Sequence, residues 1–198
     1  MIGVRGRSQR GQSAVEFGLA AVVLLMLALG LADLGRVFYF GVGLMGAARE
    51  GARQATWFDP NPGLNSTCAA VPNCYLSDGA IKAAVDGVLA NSGLPASALQ
   101  NPSGTTCPTT SDGNSQYNPP YTDAAYTPGG PDQPLLYICY ENTPGVDLAT
   151  PPTDNSLKGQ DVNVILVMSF GFATGFMQGV LGDSVHLAVN AHMIIGGF

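Results

Sequence analysis

Several things are scarce in this chain, and each scarcity excludes something. Of 198 residues only 11% are charged, and lysine occurs just twice, at Lys82 and Lys158. The stretch after residue 54 sets these two lysines against eleven acidic residues, so it offers no basic stripe to match nucleic-acid phosphates. Cysteine appears four times and never as Cys-x-x-Cys, which speaks against a structural zinc site. The two histidines, His186 and His192, lie six apart in a strand-like segment, about 20 Å at ~3.3 Å per residue, too far to share a metal. There is no P-loop and no G-x-S-x-G nucleophile elbow. Nothing puts two carboxylates beside an apolar pocket. The expectation is a protein without enzymatic activity, cofactor or metal. No internal repeat is visible.

What the chain does have is concentrated at its start. Residues 1–54 carry Arg5, Arg7, Arg10, Arg36, Arg49 and Arg53 against Glu16, Asp33 and Glu50, a basic balance before an acidic body. Phe17 to Ala32 is uncharged and almost wholly apolar. It is somewhat shorter than the ~20 residues of an ordinary spanning helix. It is the single spanning candidate, and three arginines precede it. The positive-inside rule therefore predicts a single-pass protein with its N-terminus in the cytoplasm and its C-terminal domain periplasmic or extracellular. A cleaved secretory signal is the competing reading, with Ala28, Gly30 and Ala32 as small residues near a cut site. Against it, the helical pattern runs on without proline to Ala55.

One long helix is expected from Gln12 to about Thr56. Leu34, Val37, Phe38, Leu44, Met45 and Ala48 recur at helical steps beyond the apolar run. Asp33 with Arg36, and Glu50 with Arg53, are three apart and can pair. Gly43, Ala47, Gly51 and Ala55 recur every fourth residue, a ridge that permits close approach of another backbone. Either a neighbouring helix or the protein's own sheet could occupy it. "SDGAIKAAVDGVLANSG" reads as a second helix, capped by Ser77 or Asp78, with Ile81, Val85, Val88 and Leu89 buried and Gly93 ending it.

Residues 94–134 are rich in Pro, Gly, Ser, Thr, Asn and Tyr and read as a surface excursion. "PLLYICYEN", "DVNVILVMSF" and "SVHLAVNAHMII" read as strands, the last two antiparallel. "GFATGFMQGVLGD" reads as a glycine-rich connection. Val185, Leu187, Val189, Ala191 and Met193 should face inward. The fold class is α+β: a membrane and stalk helix, a second helix and a small antiparallel sheet. Cys68, Cys74, Cys107 and Cys139 all fall in the external part, where an even count suggests two disulfides. Three connectivities are open, and Cys68–Cys74 with Cys107–Cys139 is the preferred one.

Gly11 is followed by Gln12, with Glu16 five residues after the glycine and Phe17 next. Basic residues precede, and an apolar helix follows. This resembles the processing site of type IV prepilins, particularly of the Flp/Tad system. "GQSAVEF", the Asp33/Arg36 pair, the aromatics Phe38, Tyr39 and Phe40, and "AAREGAR" from Ala47 to Arg53 together resemble the N-terminal domain of TadE-like proteins. The resemblance spans positions ~8 to 56. It implies a pseudopilin or minor pilus-assembly component with a leader at 1–11, a helix at 12–56 and an extracytoplasmic domain at 57–198. It further implies cleavage after Gly11 by a prepilin peptidase, and contacts with pilins, other pseudopilins and Tad membrane platform proteins. Asp33, Arg36, Arg49, Glu50 and Arg53 are the candidate interaction residues. The alternative is a membrane-anchored binding module that uses the loops at 94–134 and 142–160.

Overall fold

The computed structural model describes residues 10–57, 76–101, 107–110, 116–117, 119–127, 130–140 and 156–196. Helix α1 runs from Arg10 to Thr56 without interruption. Its two halves have different surroundings. From Gly11 to Leu29 nearly every side chain is exposed, including Phe17, Leu19, Leu24, Leu25 and Leu27. The helix is long and apolar enough to cross a membrane. From Leu44 onward one face is fully buried, by Leu44, Ala47, Ala48, Ala52 and Ala55. The same helix is thus an apolar rod at one end and the spine of a domain at the other.

Helix α2, Asp78–Asn91, starts where Ser77 Oγ accepts a hydrogen bond from the Ala80 amide at 3.1 Å. It buries Ile81, Val85 and Leu89. Gly93, at φ 71°, supplies the left-handed turn just past its end. The sheet order is β1-β2-β3-β4, with β1 Ala98–Leu99, β2 Leu135–Tyr140, β3 Asp161–Gly171 and β4 Ser184–Ile194. β2 and β3 are antiparallel, as are β3 and β4 over an unbroken register from Asp161↔Ile194 to Gly171↔Ser184.

Two points correct the sequence reading. The sheet is mixed rather than purely antiparallel, because β1 lies parallel to β2. β1 is only two residues long, too short for a periodic signal. It is extended by Asn101, whose buried side-chain amide donates to the Ile138 carbonyl at 2.7 Å and accepts from the Ile138 amide at 3.0 Å. The "GFATGFMQGVLGD" connection contains a helix, α3, at Gly175–Leu181. Its glycines hid it, since each weakens a helix by up to ~1 kcal/mol relative to alanine.

The sheet has two covered faces. On one, Val162, Val164, Leu166, Met168 and Phe170 of β3 form the main core with α1 and α2, joined by the inward residues of β4 named above. On the other, Ile165 and Val167 meet Leu135, Tyr137, Tyr121, Ala125 and Tyr126. β3 is apolar on both faces because both are covered, which explains its incomplete alternation.

Candidate functional site

At the beginning of α1, Gly11 and Gln12 lie within the helix, and Glu16 and Phe17 project from it exposed. Gln12 Nε2 donates to Glu16 Oε1 at 3.1 Å, one helical turn along. The Gly11–Gln12 bond is therefore in the first turn of α1. Glu16 lies beyond that turn, so the helix has no acidic residue in its first turn.

Asp33 closes the apolar run. It is buried, with 2% of its surface exposed. The Ala173 amide donates to Asp33 Oδ1 at 3.3 Å, and the Thr174 amide and hydroxyl donate to Oδ2 at 3.1 and 2.6 Å. These donors sit at the entry to α3, so a carboxylate from α1 caps the short helix. The Arg36 guanidinium is 3.6 Å away, the pairing the spacing suggests, but that side chain is 43% exposed. It rests over the rings of Phe170 and Phe40, at 5.1 and 5.9 Å from their centroids. Sequence spacing found Arg36 and missed Thr174, which contributes the shorter contact.

Toward the end of α1, Arg53 pairs with Glu50 at 2.5 Å and lies 5.2 Å over the Trp57 ring. These residues line a shallow cleft with Ala80, Ala83 and Ala84 of α2. Arg49 is exposed on the same helix. The small-residue ridge is occupied from within the chain. A Cβ on Gly51 would come within 2.7 Å of Val85 Cγ2 and 3.1 Å of Val164 Cγ1, and one on Gly43 within 2.9 Å of Ser92. Ala47 and Ala55 are buried in the same core. The face left open on this part of α1 carries Leu31, Leu34, Phe38, Val42 and Met45, all exposed.

The outer face of the sheet is covered by parts of the excursion between β1 and β2. Cys107 and Cys139 form a disulfide, as preferred from sequence, with their Cα atoms 6.0 Å apart. Asn163 Nδ2 donates to the Gln116 carbonyl at 3.2 Å, and Ser169 Oγ to that of Tyr126 at 3.3 Å. Tyr126 stacks on His186 at 4.1 Å, and Tyr117 meets His192 edge-on at 5.2 Å. Both histidines are thus engaged by aromatic rings from the excursion. Burial pushes the Tyr121 phenol well above its usual range and also raises the Tyr137 phenol. Among the described residues no three His, Cys, Asp or Glu side chains are grouped to hold a metal ion. Cys68 and Cys74 lie outside the described residues, as does most of the 142–160 loop.

The helix that carries these features is also where the chain is similar to known sequences. Residues 11–53 match the model of the TadE-like protein family. The match begins at Gly11 and ends at Arg53, covering the exposed apolar half of α1 and most of its buried half. No curated protein and no solved structure matches the chain.

Proposed function

We propose that the chain is a TadE-like pseudopilin or minor pilus-assembly component of an Flp/Tad-type apparatus, held in the cytoplasmic membrane by α1. The observation that carries this reading is the coincidence of the TadE-like match with α1. Three features support it further. Glu16 stands five residues after Gly11 on an exposed apolar helix. The arginines precede the apolar run, and the acidic body follows it, which favours a cytoplasmic N-terminus and an extracytoplasmic domain. The open stripe of Leu31, Leu34, Phe38, Val42 and Met45 offers a face for a neighbouring helix of a pilin, another pseudopilin or a Tad platform protein.

In this reading a prepilin peptidase cuts the Gly11–Gln12 bond. The new α-amine at Gln12 then lies one turn from Glu16. A carboxylate carried into hydrocarbon costs a few kcal/mol, about 2.5–3.5 on insertion scales. An amine on a neighbouring subunit offsets that cost and fixes the axial register between helices. Glu16→Ala should therefore insert in the membrane at the normal level but abolish pilus assembly, read as surface filaments in a complemented deletion strain. Normal filaments from Glu16→Ala would favour a membrane-anchored binding module instead.

A further inference from the structure

Apart from Trp57, just past the end of α1, four large apolar side chains outside that helix are exposed among the described residues: Phe176, Val180, Leu181 and Ile194. Three of the four belong to α3, a seven-residue helix. At 100° per residue, Phe176, Met177, Val180 and Leu181 fall within one arc of about 140°. Of these only Met177 is buried. From Phe172 to Gly182 there is no charged residue. An uncharged helix with an apolar face of which a single residue is covered is unusual on a water-facing surface.

The position of α3 says what the rest of that face meets. Gly30 is the first buried residue of α1 after the exposed apolar run. The nearest neighbours to a Cβ placed there would be Met177 Sδ at 3.4 Å and Phe176 Cε1 at 3.9 Å. Three residues on, Asp33 holds the entry to α3 through Ala173 and Thr174. So α3 is fixed at the level where the apolar run of α1 ends. That run, Phe17–Ala32, is about 24 Å long at 1.5 Å per residue, against a hydrocarbon core of ~30 Å. A span this short leaves its flanking protein surface at the edge of the hydrocarbon.

We propose that α3 is a second membrane contact: Phe176, Val180 and Leu181 enter the outer leaflet of the bilayer beside α1 and seat the folded domain on the lipid surface. The occupant of this face is lipid because the face continues the apolar surface of α1 at Gly30 and lies level with the outer end of the span. Asp33 is then a positioning residue. By capping α3 from α1 it keeps the lipid-facing helix from tilting away, and it stays shielded by protein at the membrane boundary. This rests on the reading of α1 as a membrane-spanning helix and extends it to a segment outside the TadE-like match.

The test uses the full chain in vesicles of phosphatidylcholine and phosphatidylglycerol with brominated acyl chains. Trp57 is the one tryptophan, and it lies roughly 40 Å along α1 from Gly30. In a Trp57→Phe background, single tryptophans are placed by Phe176→Trp, Val180→Trp and Leu24→Trp. Leu24→Trp, in mid-span, reports on α1 itself. The expected result is blue-shifted emission at 176 and 180, losing most of its intensity to brominated lipid, as at 24. Quenching at 24 with water-like, unquenched emission at both 176 and 180 overturns the proposal and leaves the span intact. Blue-shifted but unquenched emission at 176 and 180 marks burial under a second protein and also overturns it. An unquenched Leu24→Trp overturns both the span and the contact. Two positions on α3 guard against one variant failing to fold.

Discussion

Asp33 and Thr174 are 141 residues apart in sequence, yet the Thr174 hydroxyl lies 2.6 Å from the Asp33 carboxylate. This contact fastens the β3–β4 connection to the outer end of the apolar run of α1. The long helix and the domain are therefore joined at two levels, by the buried small-residue ridge and by this cap.

The cap is open to a double-mutant test. Thr174→Val keeps the shape and removes one donor, which should cost about 1 kcal/mol and lower the melting temperature of the detergent-solubilised chain by ~2–4 °C. Asp33→Asn should be more damaging, because all three donors lose their carboxylate. The Asp33→Asn, Thr174→Val double variant should fall short of the sum, since one interaction is removed twice. Strict additivity would contradict the cap.

Two glycines give opposite expectations. Gly51→Ala drives a methyl group against Val85 and Val164, both stiff β-branched side chains. It should destabilise by about 1–3 kcal/mol. Gly87, on the exposed side of α2, has open space where its Cβ would be. Gly87→Ala should stabilise by about 0.5–1 kcal/mol. Denaturation midpoints of the two variants, taken side by side, check the assignment of the ridge to the protein's own core.

A pH dependence follows from Asp86. Burial opposes its ionisation, but Lys82 and the Ser97 amide and hydroxyl outweigh this and hold its carboxyl below the ordinary value of 3.8. A depressed folded value means stability that is present above the unfolded pKa and lost as pH falls through the lower folded one. The stability advantage of the wild type over Asp86→Asn should thus be full near neutrality and shrink below about pH 4. A melting-temperature difference that stays constant into that acid range would contradict the role given to Asp86.

How much of this was legible in the sequence depended on local periodicity. Ser77, the Ile81/Val85/Leu89 stripe and Gly93 mark α2 because caps and helical spacing are local signals. The inward set on β4, from Val185 to Met193, follows from alternation alone. Compartment and count call for two disulfides but leave three connectivities open, of which the structure holds the preferred Cys107–Cys139 bond. What sequence could not give was non-local. Asp33 shows its neighbour Arg36 through an i,i+3 spacing, but its hydrogen-bond donors, Ala173 and Thr174, come from the far end of the chain. β1 depends on Asn101 completing an edge beside Ile138. The glycines of α3 argue against a helix until Asp33 supplies the cap. The excursion looked like surface by composition, yet Tyr121, Ala125 and Tyr126 are buried against β2 and β3.

The measurement that tests the central claim most directly is the N-terminal residue of the protein extracted from membranes of cells that contain a prepilin peptidase. Intact mass or N-terminal sequencing should give a chain that begins at Gln12, and a chain that keeps residues 1–11 when the peptidase is deleted. A chain that still begins at Met1 in the presence of the peptidase would contradict the account.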